Sequence, residues 1–169
     1  AHPKGIAAMK AYRADVRQQM LAFGRDPDSC KILHMAYPMV AQTREEAQLR
    51  VARRRADAAS NVDRCLAQLG WITNLDLSGI DLDTPVDELH LKTNGHQSSL
   101  AGFIRLSKGK SLREAIVDYS SMGASIDLVG TPDDVAAQME EAMQEVGGDG
   151  FLIALPDVNR RSVAEITDG

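Results

Sequence analysis

Residues 93–99, Thr93-Asn94-Gly95-His96-Gln97-Ser98-Ser99, set polar side chains around a glycine turn. Such a cluster can hold hydrogen-bond donors and acceptors over a small molecule, and His96 adds a ring that donates, accepts or titrates near neutral pH. The same seven residues also suit an exposed turn with no ligand. Asn94, His96 and Gln97 are the candidate site residues of this run. A second pair, His34 and Tyr37, lies in the mostly apolar run KILHMAYPMV, residues 31–40. Side chains alternate along a strand, so residues three apart point to opposite faces and at most one of the pair reaches a shared interior. His34 also reads as a core histidine, and both packing and site roles are open to Tyr37. No arrangement of residues in the chain identifies a catalytic group.

Other chemistries find little support. The two cysteines, Cys30 and Cys65, have no short metal-type spacing and no histidine at a fixed offset, which argues against a zinc site or redox pair. A net charge of -5 opposes a phosphate-backbone binder, which needs a positive field to displace counterions. The basic cluster Arg50, Arg53, Arg54 and Arg55 is interleaved with Glu45, Glu46 and Asp57, the pattern of a solvated helix face. No apolar run approaches the roughly 20 residues that span a bilayer, and residues 1–20 have no secretory pattern. The expected setting is the cytoplasm, without nucleic acid or membrane as partner. The chain has no initiator Met and stops at Asp168-Gly169 just after a helical pattern, so both ends read as cuts.

The elements that must position these residues follow from periodicity and punctuation. Over residues 5–23, Ile6, Met9, Val16, Met20 and Phe23 recur at helical spacing with Tyr12 among them, predicting an amphipathic helix that Gly24 stops. Arg25-Asp26-Pro27-Asp28 is turn chemistry before the strand of residues 31–40, which Pro38 should limit to about Tyr37 because proline has no N–H for the ladder. Thr43 and Glu46 have capping-box spacing, predicting one helix from there to about Leu69, with Gly70 as its stop. Turn signals then run through residues 71–110 without a sustained period, a length of irregular chain that is often a lid or binding loop. A short helix is expected over residues 111–120. Ile126-Asp127-Leu128-Val129 leads into Gly130-Thr131-Pro132-Asp133-Asp134, a helix start with Thr131 as N-cap, Pro132 at the first position and acids in the first turn. Val135, Met139, Met143 and Val146 supply its buried face, Gly147-Gly148 ends it, and residues 151–155 read as a short buried strand before a last helix from near Asn159. Strands separated by helices indicate parallel β/α units. Two strands do not make a stable parallel sheet, which is normally covered on both faces.

Three segments together resemble one family: AMKAYRADVRQQMLAFGRDPDSCKIL at residues 8–33, LVGTPDDVAAQMEEAMQEVGGDGFLI at residues 128–153, and NRRSVAEITDG at residues 159–169. They are similar to the nitrilotriacetate monooxygenase component A, alkane monooxygenase and dibenzothiophene-sulfone monooxygenase branch of the bacterial-luciferase-like flavoproteins. The resemblance covers nearly the whole chain and implies an α/β fold, the C-terminal part of a (β/α)8 TIM barrel. Residues 1–42 would hold helix six and strand seven. Residues 43–125 would be a lid-like insertion between strand seven and helix seven. Residues 126–169 would supply helix seven, strand eight and the start of helix eight. A full barrel takes about 250 residues, so the chain would be a partial domain.

The resemblance also implies chemistry. In such enzymes reduced FMN, delivered by an NAD(P)H-dependent flavin reductase, activates oxygen for insertion into a small organic substrate, and the protein shapes a dry pocket over the cofactor. The Gln-Ala-Gly-Ser-like phosphate turn of that branch has no counterpart in this sequence, so no cofactor-binding residue is carried over, no metal is expected, and the chain alone should be inactive. The parent would be a homo-oligomer. The working face of a barrel lies at the C-terminal ends of its strands, which points to Ala36, Tyr37 and His34 at the mouth, with Asn94, His96 and Gln97 on the lid. Trp71, the one tryptophan, would pack the lid onto the barrel. Two other readings stay open: a deazaflavin-dependent oxidoreductase of the same superfamily, and a non-catalytic helical interaction module.

Overall fold

In the computed structural model, which describes residues 3–121, 125–155 and 158–167 and only the backbone of residue 161, the elements alternate as the punctuation requires. They run α1 (Ile6–Ala22), β1 (Leu33–Val40), α2 (Arg44–Ser60), α3 (Val62–Thr73), α4 (Gln97–Leu106), α5 (Leu112–Ser121), β2 (Ile126–Gly130), α6 (Pro132–Val146), β3 (Gly150–Ile153) and α7 (Arg160–Thr167), with single 3-10 turns at Pro27–Ser29 and Val86–Glu88. The chain forms two compact units, a helical one of Val51–Met122 and a sheet unit of His2–Arg50 with Gly123–Gly169. The helix α2 belongs to both, residues 44–50 to the sheet unit and residues 51–60 to the helical one. No helix among the described residues is long and apolar enough to cross a membrane.

The sheet unit holds three parallel strands in the order β2-β1-β3. The sequence pattern indicated two; β2 was read only as the approach to a helix, because its short run Ile126-Asp127-Leu128-Val129 carries too little periodicity to stand alone. The central strand also runs on through Pro38 to Val40, contrary to the expected stop at Tyr37. The reason lies in which edge each residue faces. Met35 O accepts from Ser125 N on the β2 side and Ala41 N donates to Gly130 O there, whereas Ala36 O accepts from Ala154 N on the β3 side. Odd-numbered residues therefore face β2 and even-numbered ones face β3. Pairing with β3 ends at Ala36, so the N–H that Pro38 lacks would point where no strand continues among the described residues.

The same alternation sorts side chains between two faces. Ala36, Val40, Leu128 and Val135 form a buried cluster with Ile126, Met139, Phe151, Ile153 and Ile166, so one face is covered by α6 and α7. The other face carries Leu33, Met35, Tyr37, Met39, Asp127, Val129 and Leu152, of which Leu33 is 55% and Leu152 52% exposed. On α1, Met9 and Met20 are buried as the pattern required, but Phe23 is exposed, since it is the C-cap and has left the helical face.

The helical unit gives only part of the expected irregular stretch regular structure, α4 above all, while residues 74–96 stay irregular apart from the turn at Val86–Glu88. One long helix was expected up to Leu69; instead it breaks at Asn61, whose side-chain amide donates to Asp57 O at 2.8 Å. The second piece, α3, passes through Gly70 and ends where Asn74 takes a left-handed φ of 53° and its N–H bonds Gly70 O. Chain segments 82–86 and 109–113 then cross-pair, with Val86 N to Lys110 O at 3.0 Å and Arg113 N to Leu82 O at 2.8 Å. Val62, Cys65, Leu69, Leu77, Val86, Leu100, Phe103, Leu112, Ala115, Ile116 and Val117 fill a core of their own. Phe103 meets Tyr119 edge-on at 5.4 Å between ring centroids. Trp71, expected to pack, is 85% exposed.

Candidate functional site

The C-terminal ends of β1 and β2 lie side by side, Val40 opposite Gly130, and a set of charged side chains gathers there. Thr131 caps α6: its hydroxyl accepts from Asp134 N at 3.3 Å while the Asp134 carboxylate accepts from Thr131 N at 3.1 Å, closing a capping box. Arg44, at the start of α2, grips the same carboxylate with Nε at 2.8 Å and Nη2 at 2.5 Å. The Arg44 guanidinium, and then the Thr131 amide, hold the Asp134 carboxyl far below the usual carboxylate range. Gly130 permits this closeness. A Cβ there would stand 2.5 Å from Asp134 Cβ, at a φ of 151° that L side chains avoid.

Arg50 makes the second knot. Its Nη1 donates to Val40 O at 2.7 Å and to Glu165 Oε2 at 3.2 Å, and its Nη2 to Glu46 Oε1 at 3.1 Å. The half of the Thr43 capping box that exists is Glu46 N to Thr43 Oγ1 at 3.1 Å, while the Glu46 carboxylate turns to Arg50. Arg44 carries no signal in the sequence, and Arg50 reads there only as part of a solvated helix face, whereas it is part-buried and holds three acceptors. The Glu46–Arg50 spacing of four on a helix was a visible signal; the Arg44–Asp134 pair, 90 residues apart, left none.

Tyr37 and His34 lie on opposite faces of β1, as alternation demands. Tyr37 is on the face with Asp127, its register partner, and is 5% exposed. With the strand extended to Val40, Tyr37 is mid-strand and the C-terminal end of β1 lies beyond it. His34 is the second residue of β1, away from its C-terminal end and at the start of the strand. Its ring lies against Gly148, it is 2% exposed, and its Nε2 has no hydrogen-bond partner among the described residues. Burial foremost, then the nearby Arg13 charge, push its imidazole below the ordinary histidine range. Close to that end, a cavity of about 30 Å³ is lined by Arg13, Arg17, Cys30, Lys31 and Asp149 among others. Arg17 pairs with Asp28 at 2.6 Å and Lys31 with Asp149 at 3.2 Å.

In the helical unit, Asn94, His96 and Gln97 are all exposed and lie in one turn. His96 is the N-cap of α4: its Nδ1 accepts from Ser99 N at 3.2 Å and stands 2.8 Å from Ser99 Oγ. Thr93 Oγ1 bonds Thr73 O and accepts from Gly95 N at 2.8 Å. A side chain at Gly95 would place Cβ 2.5 Å from Thr73 O, so the glycine is set by close backbone approach. The polar density of residues 93–99 is thus accounted for in large part by capping and turn closure.

Comparison with known proteins adds a second line. The family model described as luciferase-like monooxygenase matches residues 1–150. Nitrilotriacetate monooxygenase component A of Aminobacter aminovorans is 29% identical over 157 residues, covering 89% of this chain and 34% of that protein. The crystal structure of DmoA from Hyphomicrobium sulfonivorans superposes with a TM-score of 0.73 at 26% identity, over 99% of this chain and 34% of the other. A riboflavin lyase structure, solved with modified FMN and riboflavin, gives 0.71 at 25% identity over 98% of this chain and 36% of that one. The chain therefore spans about a third of the length of the relatives it matches.

Proposed function

Because the chain belongs to the luciferase-like monooxygenase family, we propose that it is the C-terminal part of a flavin-dependent monooxygenase that oxygenates a small organic molecule with reduced FMN from a partner reductase. The observation that carries this reading is the family match over residues 1–150, joined to the structural likeness to a riboflavin lyase solved with modified FMN. The name of the relative called component A supports a separate reductase component. In this reading β1 is strand seven of a TIM barrel, α6 helix seven, β3 strand eight and α7 the start of helix eight. Residues 43–125 are the insertion. The half-exposed apolar face with Leu33 and Leu152 faces the barrel interior.

The described residues do not fit a flavin phosphate. The N-terminus of a helix beside strand ends is the natural anion position, but in α6 it is filled by the carboxylate of Asp134, bound to Thr131 and Arg44. Phosphate contacts belong to the rest of the full-length protein. This chain contributes the wall of strand seven, with Tyr37 toward the interior, and the polar turn of Asn94, His96 and Gln97 as substrate contacts.

The test is oxygen incorporation by the full-length protein given a reductase, NAD(P)H and either FMN or a deazaflavin. Label from ¹⁸O₂ appearing in product with FMN supports the reading; turnover with the deazaflavin alone moves the protein to the other branch of the superfamily. For the turn, His96→Asn keeps a capping side chain and His96→Ala does not. A raised KM in both variants with unchanged flavin affinity supports substrate contact; normal kinetics in the Asn variant leaves His96 as a cap.

A further inference from the structure

Among the described residues, no strand lies beside the β3-facing edge of β1 beyond Ala36. Pro38 presents no N–H there, but the carbonyl of Val40, of the same parity, still needs a donor. That donor is Arg50 Nη1, at 2.7 Å. The guanidinium fills the place that β3 vacates and spends its other N–H groups on Glu46 of its own helix and Glu165 of α7. Planar, with five donors in a fixed fork, it can hold three acceptors from three elements, which a lysine ammonium at the same distance matches poorly. The link it closes is short: β1 ends at Val40 and α2 begins at Arg44.

We propose that Arg50 is a positioning residue for the reaction, acting through the backbone of Val40 and the 41–43 loop to fix the C-terminal tip of β1 and the adjoining α7. This rests on the function proposed above, because the loops at the C-terminal ends of barrel strands build the site. Arg50 touches no substrate in this role. Its effect is to keep the strand tip, and the side chains just before it such as Met39 and Tyr37, at one setting against the substrate.

The experiment compares Arg50→Met and Arg50→Lys with the unaltered full-length protein. Readouts are substrate KM and kcat, flavin affinity, melting temperature and amide hydrogen exchange. Arg50→Met should raise KM by roughly ten-fold, less than the roughly hundred-fold that a misplacement of about 1 Å can cost, with flavin affinity and melting temperature nearly unchanged. Exchange should quicken only around residues 40–46 and 160–167, and Arg50→Lys should recover part of both effects. Unchanged KM overturns the proposal, with or without local exchange. So does faster exchange throughout the sheet unit with a lowered melting temperature, which marks a structural role alone. Should the unaltered protein oxygenate nothing, the monooxygenase reading fails, while the exchange pattern still decides whether Arg50 anchors the strand tip.

Discussion

Two histidines read as chemistry in the sequence turn out to differ in what surrounds them. His96 accepts the Ser99 amide at the start of α4, so His96→Ala should cost about 1 kcal/mol of stability, the ordinary worth of an N-cap, and His96→Asn should restore most of it; urea unfolding of the full-length protein measures both. His34 is sealed on the helix-covered face with its folded-state value depressed by burial and then by Arg13. A histidine of this kind stays neutral in the fold and charges in the unfolded chain. Its contribution is therefore fully present above the ordinary value of about 6.5 and is lost as pH falls from there toward the depressed folded value. The unfolding free energy should decline on acidification from pH 7 to 5, and His34→Gln should flatten that slope. A slope unchanged in the variant would remove His34 as its source. The sequence favoured both environments, a core histidine for His34 and an exposed turn around His96, but residue type could not show the neighbours that decide them, because capping and burial depend on what the chain brings alongside.

Among the elements, the strand through Pro38 gives the sharpest test of the edge argument. Pro38→Ala should change stability by less than about 1 kcal/mol, since the restored N–H points where no strand continues and the main effect is on the unfolded chain. Ala41→Pro, three residues on, removes the N–H that bonds Gly130 O at 3.0 Å and should cost about 1–3 kcal/mol, the range for leaving a hydrogen-bond partner unmet. Equal effects in chemical denaturation would mean that the two edges do not differ. Proline was rightly read as incompatible with a fully paired strand; what the sequence could not tell is that this strand loses one neighbour at Ala36. The start of α6 was legible in full, because Thr131, Pro132, Asp133 and Asp134 act within one turn of each other. The break at Asn61 and the helix α4 were not, since neither has a strong local signal.

For the molecule as a whole, the two units carry separate cores and should behave differently when separated. Residues 44–121 expressed alone should unfold cooperatively, because Phe103, Leu112, Ile116 and Leu69 are buried within the helical unit itself. The sheet unit alone should associate or aggregate, since Leu33 and Leu152 leave an apolar face half exposed beside open strand edges. Calorimetry and sedimentation on the two pieces would settle it, and a cooperative monomeric sheet unit would count against the barrel reading.

By itself the sequence determined what neighbouring residues decide: the helix periodicities, the cap at Thr131, the turn at residues 93–95, the parallel β/α order and the resemblance to flavin monooxygenases. Tertiary structure alone decided the third strand, the passage of β1 through Pro38, the separate helical core, and the gathering of Arg44 with Asp134 and of Arg50 with Val40 and Glu165. The division has one physical cause. Periodicity and capping are set by contacts within a turn or two of chain, whereas strand order, edge exposure and ion pairs across 90 or more residues exist only once distant segments have been brought side by side.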